Sequence, residues 1–153
     1  MALELFRHNE EAYKAVVSML AERNKAAVVH PTGTGKSFIG FKLCYDNSDK
    51  IICWLSPSRY IYQTQLENLK EASGGYEPQN VKFYTYAKLM LLSDENFSEI
   101  KPDYIILDEF HRCGAEYWGM GVQKLLEMYP DTPLLGLSAT AVSYTHLRAH
   151  ETL

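Results

Sequence analysis

The sequence predicts an α/β fold, an open and mostly parallel sheet with helices on both faces. Two observations predict it. Four short apolar runs, AAVVH (26–30), IICWL (51–55), YIILD (104–108) and LLGLS (134–138), are nearly continuous rather than alternating. Continuous runs suit strands covered on both sides. Between them lie stretches of helical periodicity, and strands that alternate with helices imply crossover connections. With 153 residues, 46% hydrophobic and 22% charged, the chain fits one globular domain able to bury a core.

Each element has its own signal. Tyr13, Val16, Val17 and Leu20 fall at i, i+3, i+4, i+7 and mark a first helix. AAVVH is the first strand, and Ser37 to Tyr45 is apolar enough for a largely buried helix. IICWL is the second strand. Tyr62, Leu66 and Leu69, at i, i+4, i+7, mark the next helix. VKFYT (81–85) alternates, so it is expected to be a strand nearer an edge. YIILD follows. Val122, Leu125, Leu126 and Tyr129 mark a last helix before LLGLS. In such sheets ligands bind beyond the carboxyl ends of the strands, so chemistry is expected just after each run.

Composition bounds the partners. The net charge of −4 gives no overall basic footprint, so any nucleic-acid contact must be local. Cys44, Cys53 and Cys113 are widely spaced and odd in number, which argues against a disulfide frame or a zinc site. They read as reduced, mostly buried thiols of a cytoplasmic protein. No apolar run approaches the roughly 18–20 residues of a membrane span. The opening MALELFRHNEE lacks the apolar segment of a signal peptide.

After the first strand comes Pro31-Thr32-Gly33-Thr34-Gly35-Lys36-Ser37, followed by a helix. This is the setting of a phosphate-binding P-loop. Gly33 and Gly35 let backbone N–H groups turn toward phosphate oxygens, and the helix start adds a positive end. Thr32, Gly33, Thr34, Gly35, Lys36 and Ser37 are the candidate nucleotide-binding residues. Lys36 is placed to reach the β- and γ-phosphates and Ser37 to ligate Mg²⁺. The general pattern wants glycine where this chain has His30. The plainer alternative is a Gly-rich turn that happens to end in Gly-Lys-Ser.

After YIILD the chain reads Asp108-Glu109-Phe110-His111. A carboxylate at the end of a buried strand, across the sheet from a P-loop, suits Mg²⁺ held through its water shell. Asp108 is the candidate metal residue. Glu109 is the candidate base that orients and deprotonates the attacking water. The two sites are expected on neighbouring strand tips. The alternative is a surface acidic pair that caps the following helix.

T-G-T-G-K-S, D-E-F-H and Ser138-Ala139-Thr140, in that order and each after an apolar strand, resemble the signature motifs of superfamily-2 DEAD/DEAH-box helicases and type III restriction subunits. The resemblance spans about residues 5–140 and accommodates His30, because the first P-loop position there is often not glycine. It implies a RecA-like P-loop NTPase domain, ATP and Mg²⁺ as cofactors, and hydrolysis coupled to nucleic-acid movement. Ser138 and Thr140 would couple the two, and His111 would bridge them to the ATP site. It also implies that a second RecA-like domain, not found in this chain, supplies an arginine finger worth roughly 10³–10⁵ in rate. The fragment alone is therefore expected to bind nucleotide and turn over slowly.

The loops after the second and third strands form the nucleic-acid edge in that family. Here they read Ser56-Pro57-Ser58-Arg59 and Thr85-Tyr86. Ser58 suits an N-cap whose helix start could hold a backbone phosphate, and Arg59 could add a charge-assisted bond. Ser58, Arg59 and Thr85 are the candidate contacts, with DNA favoured over RNA. The alternative is an N-cap followed by a solvated arginine. Asn9 falls about where relatives place a glutamine that contacts adenine.

The stretch VSYTHLRAHETL differs from all that precedes it. Residues 142–152 resemble a translated sequencing adaptor, so the domain is expected to occupy 1–141 and a non-native tail 142–153. His146 and His150 lie at zinc-like spacing but lack the H-E-x-x-H arrangement. The function expected is the ATP-binding motor domain of a helicase or translocase. A non-catalytic nucleotide or nucleic-acid binding module, or another P-loop phosphotransferase, remain the alternatives.

Overall fold

The computed structural model describes residues 7–29, 35–109 and 115–138. The chain order is α1 (Arg7–Arg23), β1 (Lys25–Val29), α2 (Lys36–Asp46), β2 (Ile52–Ser56), α3 (Arg59–Ser73), β3 (Val81–Thr85), α4 (Tyr86–Met90), α5 (Asp94–Ile100), β4 (Tyr104–Asp108), α6 (Ala115–Met128) and β5 (Leu134–Ser138). The five strands form one sheet in the order β1-β5-β4-β2-β3, and every pairing is parallel. The predicted α/β class and parallel sheet are therefore present.

The strands form where continuous apolar runs can be covered twice. Ile52 and Trp54 of β2 join one core cluster, with Tyr13, Val16 and Leu20 of α1, Ile39, Phe41 and Cys44 of α2, and Tyr62, Leu66 and Leu69 of α3. Their neighbours Cys53 and Leu55 join the opposite cluster, with Tyr86 and Leu89 of α4, Phe97 and Ile100 of α5, and Val122 and Leu125 of α6. Helices α1, α2 and α3 thus cover one face, and α4, α5 and α6 the other. Chain direction explains the division for the five helices that connect strands. The connections β1-α2-β2 and β2-α3-β3 step one way across the sheet, while β3-α4-α5-β4 and β4-α6-β5 step back. Parallel crossovers share one hand, so a reversal of direction puts the helices on the other face.

Two sequence expectations are refined. The β3 strand is at an edge as expected, since it pairs with β2 alone. Its five residues are all half-buried, so its alternating sequence is not mirrored in exposure. The P-loop strand and the acidic strand are not neighbours, because β5 lies between β1 and β4. The β5 strand pairs with both in parallel, so the carboxyl ends of all three still share one edge of the sheet.

Close packing at one glycine fixes α2 against the sheet. A Cβ on Gly40 would lie 2.7 Å from Trp54 Cη2 and 3.3 Å from Leu137 Cδ1. The Trp54 ring in turn stacks on Phe41 at 4.7 Å between centroids. Helix α2 is thereby held close, and its first residue, Lys36, is set at the carboxyl edge of the sheet.

Candidate functional site

Lys36 and Asp108 lie at the same end of the sheet. Gly35 adopts a left-handed conformation, φ 79°, as the residue before α2. Glycine suits that conformation because it has no Cβ to clash. A Cβ there would also come within 2.7 Å of Asn9 Nδ2. Lys36 begins α2 and is buried, and its ammonium forms an ion pair with the Glu109 carboxylate. The start of α2 and the residue after β4 therefore meet, although β5 lies between β1 and β4 in the sheet. The first turn of α2 contains no acidic residue, which leaves the positive helix end available to an anion.

Glu109 leaves β4 through a left-handed backbone, φ 50°. Its N–H donates to Leu137 O at 2.9 Å. That bond fastens the end of β4 to β5 and turns the Glu109 side chain toward Lys36. A positive φ at a non-glycine residue is strained and concentrates at functional positions.

Asp108 is fully buried. Its Oδ2 accepts a hydrogen bond from Gln65 Nε2 of α3 at 2.8 Å, and its backbone O accepts one from the Tyr86 hydroxyl at 3.0 Å. Its Oδ1 has no hydrogen-bond partner among the described residues. Burial is the main cause that pushes the Asp108 carboxyl up to about 6, and the Glu109 charge adds to it. The Gln65 hydrogen bond and the Lys36 charge pull the other way. A buried carboxylate without a full set of donors is costly to ionise, and a bound cation would relieve that cost.

The donor set fits a hydrated Mg²⁺ beside a phosphate. Mg²⁺ is held through one or two protein oxygens and retains several waters. Asp108 Oδ1 and Gln65 Oε1 are both buried acceptors without a donor among the described residues, which is the complement of coordinated water. Also among those residues, no group of three or more His, Cys, Asp or Glu side chains could hold a metal. A magnesium completed by phosphates does not need one.

Other predicted residues fall as follows. Ser37 lies in the first turn of α2, partly buried. Thr32, Gly33, Thr34, His111 and Thr140 lie outside the described residues, as do Cys113, the adaptor-like stretch and its histidines. Ser138 ends β5. Ser58 caps α3, its side chain accepting from Ile61 N at 3.1 Å. Arg59 is exposed, with its guanidinium 5.1 Å from the Phe83 ring centre. Thr85 caps α4 by accepting from Lys88 N. Tyr86 is not part of an exposed loop, since it is buried and bonded to β4.

Two residues at this edge carry more than the sequence suggested. Asn9 is fully buried in α1 against Gly35, and both polar atoms of its amide lack hydrogen-bond partners among the described residues. Gln65 was missed. Its signal is a polar residue at the i+3 position of the stripe Tyr62, Leu66, Leu69, where a core-facing helix would otherwise carry an apolar side chain.

A separate groove of about 660 Å³ opens at the opposite edge of the sheet, lined by residues including Tyr13, Val17, Asn24, Asp46 and Tyr104. It contains none of the predicted site residues. Several of its polar groups are engaged, with Tyr13 donating to Asp46 at 2.6 Å and Asn24 to Asp131 O at 2.9 Å.

Among the described residues no helix is long and apolar enough to cross a membrane. A search of curated proteins returned no match to the chain. The family model described as "Type III restriction enzyme, res subunit" matches residues 2–143, a span that contains the P-loop, the Asp108-Glu109 pair and the end of β5. The chain belongs to the type III restriction enzyme res-subunit family, a family of helicase-like ATP-binding motor domains.

Proposed function

We propose that residues 1–141 form the motor domain of a cytoplasmic helicase or translocase that hydrolyses ATP and couples hydrolysis to movement along nucleic acid. Membership of a restriction-subunit family favours DNA as that nucleic acid. The observation that carries the reading is the ion pair of Lys36 with Glu109, beside the buried Asp108. It supports the reading because one cation and two carboxylates near each other would suit phosphate, metal and water.

The residues divide the work. Lys36, released from Glu109 when nucleotide enters, holds the β- and γ-phosphate oxygens. The loop Thr32–Gly35 and the start of α2 offer N–H groups to the same oxygens. Ser37 and Asp108 would hold Mg²⁺, which when bound neutralises phosphate charge in the transition state. Glu109, freed from Lys36, orients the attacking water and accepts its proton. Entry of phosphate thus draws Lys36 from the base to the nucleotide. His111, Ser138 and Thr140 are proposed to relay the state of this site to the nucleic-acid edge. There Ser58, Arg59 and Thr85 would hold a backbone phosphate, which positions a strand without reading its bases.

Fluorescence titration with mant-ADP and Mg²⁺ tests the reading on wild type and Lys36→Ala. Wild type should bind with the Lys36→Ala affinity at least tenfold weaker. Equal affinities would remove the phosphate role of Lys36. Absence of binding by wild type would refute the function.

A further inference from the structure

We propose that Gln65 is the positioning residue for the metal-side carboxylate and the second acceptor for the waters of a bound divalent cation. This rests on the reading of Lys36, Asp108 and Glu109 as a magnesium–nucleotide site.

The argument starts from what Asp108 lacks. A carboxylate offers about four acceptor directions, yet among the described residues a single side-chain hydrogen bond reaches this one, from Gln65 Nε2 to Oδ2. The strand fixes the Asp108 backbone, and Tyr86 holds its carbonyl oxygen, but neither sets the rotation of the carboxyl group. The Gln65 bond does. By engaging Oδ2 it leaves Oδ1 as the oxygen presented without a partner among the described residues.

Gln65 is not merely filling space. It is half-buried beside the buried residues Tyr62, Leu66 and Leu69 of α3. Its own Oε1 is buried and has no hydrogen-bond partner among the described residues. Two unsatisfied acceptors therefore flank one hydrogen bond, and both want an O–H or N–H donor. A bare cation would satisfy a carboxylate but would bring no donor. A cation with its water shell brings both, and Mg²⁺ is the ion that keeps its waters. Partners that orient a metal-holding side chain in this way tune metal affinity strongly.

Gln65→Met separates this role from packing, because methionine keeps the length and volume while losing donor and acceptor. Gln65→Leu serves as a second variant should the first fold poorly. Mant-ADP affinity is measured in EDTA and then across a Mg²⁺ titration, with bound Mn²⁺ counted by EPR as an independent readout. Both variants should bind metal-free mant-ADP within about twofold of wild type, yet need roughly ten- to a hundredfold more Mg²⁺ to reach half of the metal-dependent gain. Bound Mn²⁺ should fall in parallel. A wild type that responds to Mg²⁺ and variants with the same midpoint would overturn the role of Gln65 while leaving the nucleotide site intact. An equal loss of metal-free affinity would also overturn it, by making the residue purely structural. A wild type that binds no nucleotide would refute the proposed function, and this inference with it.

Discussion

Asp108→Asn should raise the stability of the nucleotide-free protein at neutral pH while removing its response to Mg²⁺. The carboxyl is fully buried, and burial moves it from 3.8 to about 6. The folded state therefore holds the proton more tightly than the unfolded chain. Between about pH 4 and pH 6 the folded protein binds more protons, so stability falls as pH rises through that window and levels off above it. The rise from 3.8 to about 6 corresponds to a penalty of about 3 kcal/mol at pH 7.5. Asparagine keeps the bond from Gln65, since its carbonyl oxygen can accept it, and carries no charge to bury.

Thermal unfolding by circular dichroism in EDTA reads the difference. For a domain of this length about 3 kcal/mol corresponds to a gain of roughly 6–12 °C. The gain should shrink to about half at pH 5, where the wild-type carboxyl is largely protonated in the folded state. Mg²⁺ with ADP should then raise the wild-type midpoint and leave that of Asp108→Asn almost unchanged. A variant no more stable than wild type at pH 7.5, or one whose advantage is independent of pH, would refute the idea that a buried charge is being relieved.

Other outcomes follow from the packing. Gly40→Ala should destabilise by about 1–3 kcal/mol in urea unfolding, because its Cβ would meet Trp54 at 2.7 Å and the ring cannot retreat without losing Phe41. Its unfolding should be visible in Trp fluorescence. Ser58→Ala removes the cap bond to Ile61 N and should cost about 1 kcal/mol by the same measurement, with mant-ADP affinity unchanged. Cys44 and Cys53 are buried, and burial pushes each thiol up to about 12. Peptide mapping after a thiol reagent should find both unlabelled in native protein and both labelled in guanidinium.

The strands were legible because their faces are covered twice. The runs at 81–85, 104–108 and 134–138 match β3, β4 and β5 residue for residue, and β1 and β2 are displaced by one. A continuous apolar run leaves little freedom in where a strand can sit. Helices α4 and α5 were not anticipated. At five and seven residues they are too short for a 3.6-residue period to repeat. Their caps, Thr85 and Ser93, were the only local signal. The order of strands was also out of reach, because it depends on which faces the crossovers occupy. That is why β5 came between two strands expected to be neighbours. At the site, Lys36, Asp108 and Glu109 announced themselves by residue type and position after a strand. Gln65 contributes one amide from a helix 43 positions earlier in the chain, and no motif links it to Asp108.

The distribution of unsatisfied groups points to the same edge as the motifs. At the amino ends of the strands polar side chains are paired. Asn80 donates to the carbonyls of Cys44, Asn47 and Lys50, and Asp103 accepts from Ile51 N at 2.8 Å. At the carboxyl ends, Asn9, Gln65 and Asp108 hold buried polar atoms with no hydrogen-bond partner among the described residues, and Glu109 takes a left-handed backbone. A fold under selection for stability alone would fill or pair such positions. Trp54 Nε1 in the core also lacks a partner among the described residues, and Asn24 and Lys101 take positive φ at the amino ends. The carboxyl edge differs in that its unpaired atoms stand beside a glycine that admits no side chain and a helix start without acid, which suits an anion and its cation. The rest of the chain supports that edge from both faces, with Trp54 and Phe41 packed on one and Leu55 and Leu107 on the other. The stability forfeited around Asp108 is thus drawn from a core that does not itself touch the ligand.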